Sequence, residues 1–327
     1  MEFTQVSNLD LEISRVTLGT WAIGGWMWGG TDEQKSIDTV LEAIDKGVTT
    51  IDTAPVYGQG RSEELVGKAV QQHGNREELQ IATKFGLQWD DDGNPSRNSS
   101  RDRIHKEIDD SLRRLQTDYI DIYQVHWPDL QTDFSETAET LNELLDSGKI
   151  RAIGVSNFSP EQMDEFRQVA PIHVCQPPYN LFERGIEDDI IPYCKENDIT
   201  LLTYGALCRG LLSGKMDKDW TFDDGDLRKN ADPKFQGETF ENHLAAVEKL
   251  KEYASDHFNQ KVIHLAVRWI LDKGVDSAIW GARNPEQVTF DEAFGWKLSK
   301  QQVAEIEQMV EETVENPVSP AFMAPPE

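Results

Sequence analysis

The chain of 327 residues is predicted to be an α/β protein, a (β/α)8 TIM barrel with an N-terminal β-hairpin and a long loop after the seventh strand. Three observations predict it. Short β-branched runs alternate with amphipathic helical stretches in a series of eight, which suits a closed barrel better than an open sheet. No low-complexity or Pro/Gly-rich linker interrupts the series, so residues 1–327 are expected to form one domain. Polar side chains recur at the same end of successive strands, where barrels of this kind carry their chemistry.

The elements follow in order. FTQVSNLDLEIS (3–14) reads as a hairpin that would plug the barrel floor. Runs at 15–18, 50–51, 79–82, 120–125, 150–155, 173–175, 200–203 and 277–280 supply the eight strands. Helical stretches at 33–46, 62–72, 101–115, 136–147, 160–169 and 187–196 follow the first six. In SRDRIHKEIDDSLRRL the apolar residues 104, 108, 112 and 115 keep a helical period. SPEQMDEF opens with Ser159 as N-cap, Pro160 at the first helical position and Gln162 at the third, all start signals. Residues 205–239 look irregular and precede helices at 241–256 and 262–271. A loop that long inside a compact domain is either a functional lid or disordered. Here a lid is expected, mobile until a cofactor binds. WDDDGN (89–94) lacks the rest of a calcium loop and reads as a turn. The tail ENPVSPAFMAPPE holds three prolines in its last eight residues and cannot be helical there. It is either a free end or a segment draped over the mouth.

Composition narrows the function. No apolar run is long enough to span a membrane. The N-terminus lacks the basic and apolar regions of a secretory signal. Cys175, Cys194 and Cys208 are odd in number and form no CxxC pair, so neither a disulfide framework nor a metal site is expected. A cytoplasmic protein is the expectation. Thirty-two basic against 59 acidic residues give a net charge of −27. Such a surface repels phosphate backbones and anionic lipids, so nucleic-acid and membrane partners are not expected. The acidity suits either general solubility or a salt-rich cell.

The strand ends suggest chemistry. The second gives Asp52, with Tyr57 in its loop; the third gives Lys84 and the fourth His126. The fifth gives Ser156 and Asn157, the sixth Gln176 and the seventh Tyr204. An ordinary tyrosine is a poor acid at neutral pH. A nearby ammonium is expected to lower its pKa, and a buried lysine needs a carboxylate partner such as Asp52. A histidine can orient a substrate oxygen or relay a proton. Together these groups suit general acid catalysis at a carbonyl with stabilisation of the developing alkoxide.

Eight stretches carry a resemblance: LGTW (18–21), GVTTIDTAPVYGQGRSEELVGKAV (47–70), ATKFG (82–86), DIYQVHWPD (121–129), IRAIGVSNF (150–158), QPPYNLFER (176–184), YGALCRGLLSGK (204–215) and WGARNPEQV (280–288). Over nearly its whole length the chain resembles the aldo-keto reductases, closest to the bacterial subgroup of general-stress and inositol-operon reductases. The resemblance implies NADPH-dependent reduction of aldehydes and ketones, with Asp52, Tyr57, Lys84 and His126 as the catalytic tetrad and Tyr57 as proton donor. It implies NADPH bound without a Rossmann motif, and neither G-x-G-x-x-G nor a Walker sequence is present. Ser156, Asn157 and Gln176 would hold the nicotinamide carboxamide and Tyr204 would stack on the ring, with Thr20 and Trp21 beside it. Gly205, Ala206, Leu207, Cys208 and Arg209 would cradle the pyrophosphate, with Lys215 and Arg228 adding charge. Gly281, Arg283 and Gln287 would meet the 2′-phosphate, Arg283 as a guanidinium suited to a dianion and GARNPEQ as a helix N-terminus. Where many relatives carry Glu-Asn against the adenine this chain has Phe290 and Asp291, of which only Asp291 could accept a hydrogen bond. Aromatic residues crowd the early loops, and Trp21, Trp28, Trp89 and Trp127 are expected to wall a small-molecule carbonyl substrate. A monomer is expected. The resemblance also admits oxidation of a sugar or polyol, and an NADPH-sensing regulatory subunit with little turnover.

Overall fold

The structure is a computed structural model, and it describes residues 1–326. The first hairpin, β1 (Phe3–Gln5) and β2 (Glu12–Ser14), is antiparallel. Beyond it the chain runs through β3 (Val16–Gly19), α1 (Glu33–Asp45), β4 (Thr50–Asp52), α2 (Arg61–His73) and β5 (Gln80–Phe85). A second antiparallel hairpin, β6 (Leu87–Trp89) and β7 (Pro95–Arg97), precedes α3 (Arg101–Leu115). Then come β8 (Ile120–Val125), α4 (Phe134–Asp146), β9 (Ile150–Ser156), α5 (Pro160–Arg167), β10 (Val174–Gln176), α6 (Ile190–Glu196) and β11 (Thr200–Thr203). The chain ends with α7 (Leu227–Asn230), α8 (Gly237–Phe258), α9 (Val262–Asp272), β12 (Ser277–Gly281) and α10 (Lys300–Glu311).

Strands β3, β4, β5, β8, β9, β10, β11 and β12 form a closed, all-parallel barrel. Closure joins its first and last strands, with Ile279 opposite Thr17. The strands are buried on both faces, so β-branched and apolar residues fill them instead of alternating with polar ones. The expected hairpin plug is present. Val6, Leu11 and Ile13 pack into the barrel against Ala82, Ile122, Ala152, Val174, Leu202 and Ile279. Side chains on one face of a strand recur every second residue. Two residues beyond five of these floor positions stand Lys84, Gln124, Gly154, Gln176 and Tyr204. One step along the barrel axis therefore separates an apolar floor from a polar layer.

Local signals held where their chemistry is complete. Ser159 and Gln162 form a reciprocal capping box with Pro160 in the first turn. Ser299 and Gln302 do the same for α10, a helix the periodicity reading passed over. Residues 205–239 are more regular than expected. They hold a 3-10 turn at Cys208–Ser213, α7 and a second 3-10 turn at Pro233–Phe235, and α8 starts at Gly237. WDDDGN is the turn of the β6–β7 hairpin, with Asp90 Oδ1 accepting from the amides of Asp92 and Asn94 at 3.0 and 2.8 Å. The tail is draped over the mouth. Arg97 Nε and Nη2 donate to the Pro325 carbonyl at 3.2 and 3.0 Å, and the Arg97 amide donates to that of Pro326. Among the described residues no helix is long and apolar enough to cross a membrane, and no cluster of His, Cys, Asp and Glu could hold a metal ion.

Candidate active site

Asp52 ends β4 and Lys84 stands on β5, with both side chains inside the barrel mouth. Lys84 Nζ lies 2.9 and 2.7 Å from the two carboxylate oxygens of Asp52 and 3.1 Å from the Thr53 carbonyl. It reaches the Tyr57 hydroxyl at 3.3 Å. A fully buried lysine loses hydration, and a carboxylate gripping it through both oxygens offsets that cost. The Asp52 carbonyl accepts from the Thr20 hydroxyl at 2.8 Å, which fixes the strand end. The loop bearing Tyr57 is pressed against the β3 loop. A Cβ on Gly58, whose φ is +66°, would lie 2.2 Å from the Gly24 carbonyl oxygen. Only glycine permits that backbone at that distance. His126, just past β8, faces Tyr57 edge-on with ring centroids 5.7 Å apart.

Electrostatics corrects one expectation. The Tyr57 phenol is pushed well above its ordinary pKa by burial and then by the Asp52 carboxylate. The nearby ammonium does not pull it below, as the sequence reading expected, because desolvation and the anion outweigh it in the ligand-free site. Burial pulls the Lys84 ammonium down against the opposing pull of Asp52. Burial, then the Lys84 charge, pulls His126 well below its usual value. The site at neutral pH is a protonated phenol beside a neutral imidazole.

Four polar residues line the same cavity: Ser156, Asn157, Gln176 and Tyr204. Asn157, left-handed with φ 63°, donates to the His126 carbonyl at 3.0 Å and accepts from the Tyr204 hydroxyl at 2.9 Å. The Gln176 amide nitrogen donates to Asp52 Oδ1 at 2.8 Å, while its oxygen accepts no hydrogen bond among the described residues. That open acceptor, at a cavity edge with hydroxyl and amide groups beside it, fits a carboxamide. Thr20 is wholly buried, and its hydroxyl is spent on Asp52 and Ser62, so it backs the site without reaching into it.

Several basic side chains near the expected pyrophosphate cradle are committed elsewhere. Arg209 is buried and ion-paired with Glu183 and Asp232, and Lys234 meets Glu183 at 2.8 Å. That leaves the backbone of Gly205, Ala206, Leu207, Cys208 and Arg209 for ligand contact. Residues 208–210 all have positive φ, a run that turns successive amides toward one side. Burial pushes the Cys208 thiol up to about 12. Arg228 is sandwiched 4.8 Å from the rings of both Trp28 and Phe222, and it pairs with Asp226. It staples the long loop to the β3 loop and is not a free cation. Lys215 is exposed and lines neither cavity. Arg283 and Gln287 line a second, polar cavity of about 350 Å³ with Lys35 and Asn284. Arg283 Nη2 donates to the Gly30 carbonyl at 2.8 Å. The expected helix start at GARNPEQ is only a 3-10 turn, Pro285–Gln287, so it adds little dipole. Gly281 is exposed, with open space where a Cβ would stand. Phe290 is buried against Trp280 and Asp291 faces Lys46 at 3.6 Å.

The mouth cavity, about 290 Å³, has Tyr57 and His126 at its base. Trp21, Trp26, Met27, Leu87, Trp127 and the tail from Phe322 to Pro326 wall it. Two expected wall residues lie outside. Trp28 meets Trp21 edge-on and sits under Arg228, and Trp89 packs in the hairpin below the Arg103 guanidinium. Trp26 and Met27 join the wall beyond the residues expected there, and the tail takes the draped course of its two alternatives. An aromatic and a proline-rich end without helical period were the available signals.

The model of the Aldo/keto reductase family matches residues 15–311. The chain is 55% identical to Aldo-keto reductase YhdN of Bacillus subtilis (strain 168), over all of this chain and 98% of that one. It is 37% identical to the NADH-specific methylglyoxal reductase of Escherichia coli (strain K12), covering 88% of this chain and 91% of that protein. Among solved structures, the glycerol dehydrogenase AKR11B4 from Gluconobacter oxydans superposes with a TM-score of 0.88. It shares 50% identity over 98% of this chain and 99% of that one.

Proposed function

The chain belongs to the aldo/keto reductase family, oxidoreductases of carbonyls and alcohols, and from that premise we propose that it reduces aldehydes and ketones with NADPH, Tyr57 giving the proton. The observation that carries this is the contact of Lys84 Nζ with both Asp52 and the Tyr57 hydroxyl at the base of an apolar cavity. A bound NADPH would supply the hydride. Ser156, Asn157, Gln176 and Tyr204 would hold its nicotinamide end, the 205–209 backbone its pyrophosphate, and Arg283 with Gln287 its phosphorylated ribose.

Each side chain of the base then has one task. Tyr57 holds its proton through the neutral range and donates it to the carbonyl oxygen, a general acid step. The Lys84 ammonium stabilises the phenolate that remains, so it acts only once the proton has left. Asp52 keeps that ammonium charged in a buried place. His126, neutral, orients the substrate oxygen through a ring nitrogen. The tryptophans and the tail exclude water and receive an apolar substituent.

A second reading draws on the similar glycerol dehydrogenase, which favours oxidation of a polyol. The wall weighs against it, since Trp21, Trp26, Leu87 and Trp127 offer little to pair with additional hydroxyls. The test is cofactor consumption with an aromatic aldehyde, methylglyoxal and glycerol, each with the phosphorylated and unphosphorylated cofactor. Fast NADPH oxidation with the aromatic aldehyde is expected. Turnover confined to glycerol would overturn the assignment, and tight cofactor binding without any turnover would favour a sensor.

A further inference from the structure

We propose that Gln124 is a positioning residue for the proton donor, acting on Asp52 through Gln176; this rests on the reading of Asp52, Lys84 and Tyr57 given above. Lys84, Gln124 and Gly154 stand abreast on three neighbouring strands, Lys84 opposite Gln124 and Gln124 opposite Gly154. Gln124 is fully buried. Its Oε1 accepts from Gln176 Nε2 at 3.3 Å, and the same nitrogen donates to Asp52 Oδ1 at 2.8 Å. One amide group thus spends one N–H on each neighbour. The reverse orientation of Gln124 would set two donors face to face. Gln124 therefore decides where the Gln176 amide points, and that amide holds the carboxylate oxygen that Lys84 also grips.

Two further features show that the position is held at a cost. Gln124 Nε2 is buried without a hydrogen-bond partner, a loss that an apolar side chain would avoid. A Cβ on Gly154 would lie 2.6 Å from Gln124 Cγ, so the strand beside it gives up a side chain to make room. Neither sacrifice improves packing. Both are explained if the acceptor at Oε1 is what the site requires.

The test is Gln124→Met, with Gln176→Met and the double variant, each assayed for kcat, KM and thermal unfolding. Gln124→Met should lower kcat by about tenfold or more, the scale of one hydrogen bond to a charged group. The KM for the carbonyl should hold, and the unfolding midpoint should stay near the parent's, because the orphaned donor of Gln124 is exchanged for one unpaired N–H on Gln176. In the double variant Gln124→Met should add no further loss beyond Gln176→Met. A kcat matching the parent, a fall in kcat together with stability or failure to fold, or losses that multiply in the double variant would each overturn the proposal. Tyr57→Phe runs alongside: if it is fully active the underlying proton-donor reading fails, whereas an inactive Tyr57→Phe beside a fully active Gln124→Met overturns only the positioning role.

Discussion

Replacing Tyr57 by phenylalanine removes one oxygen and leaves the ring against Trp21 and His126. Structurally the hydroxyl is a small contributor. Its hydrogen bond with Lys84 is at the long end at 3.3 Å, and Lys84 keeps both oxygens of Asp52 and the Thr53 carbonyl. Loss of stability should therefore stay near the about 0.5–1.5 kcal/mol of an ordinary hydrogen bond. Chemistry should suffer far more. A general acid contributes about two to four orders of magnitude, equivalent to about 3–5 kcal/mol of barrier. Phenylalanine has no proton to give, and the neutral His126 beside it is a poor substitute. The assay is steady-state consumption of reduced cofactor with an aromatic aldehyde, beside a binding titration of the cofactor alone. We expect kcat/KM to collapse while cofactor affinity and the unfolding midpoint barely move. Activity within about tenfold of the parent, below the range for general acid work, would refute the reasoning. A parallel loss of cofactor affinity would show instead that the hydroxyl serves binding.

Two other predictions follow from the geometry. Arg283→Ala should weaken NADPH by about 1.5–3 kcal/mol, the scale of a hydrogen bond to a charged group, and leave NADH nearly untouched; equal losses by titration would show a folding role instead. Glu107 accepts from the Gly86 amide at 2.7 Å behind the Lys84 strand, and burial holds its carboxyl at about 7 against an ordinary 4.5. The folded state then binds the extra proton between those values, so this group's stabilisation falls as pH rises from 4.5 to about 7. The total change is roughly 3 kcal/mol. Denaturant unfolding of the parent and of Glu107→Gln across that window should show the slope in the parent and lose it in the variant, and identical slopes would contradict it.

Much of the site was legible because a barrel converts sequence position into place. Asp52, Lys84 and His126 read as strand ends, and strand ends meet at one mouth. Gln124 was not legible, since two residues before a strand end looks like core, and only the missing side chain at Gly154 lets it turn toward Gln176. The surroundings of Arg228 were not legible for another reason. In an acidic protein a cation looks free for an anionic ligand, yet Asp226 pairs with Arg228 and two aromatic rings enclose it. The tail was undecided because prolines remove periodicity, and its anchor, Arg97, lies more than 200 residues earlier. The helix α10 is legible in SKQQVAEIEQMV, which carries both a capping box and a helical period.

The paired charges of Lys84 with Asp52, and of Arg209 and Lys234 with Glu183 and Asp232, are sealed inside, while a net charge of −27 is spread over the whole chain. Mobile ions screen exposed charges over about 8–10 Å at moderate ionic strength and scarcely touch buried ones. The protein is thus divided into a screened exterior and an unscreened interior. Added salt relaxes the repulsion that a polyanionic dinucleotide would meet on approach, and it leaves the proposed proton-donating set in the field it was built with. Encounter and chemistry answer to different solvents.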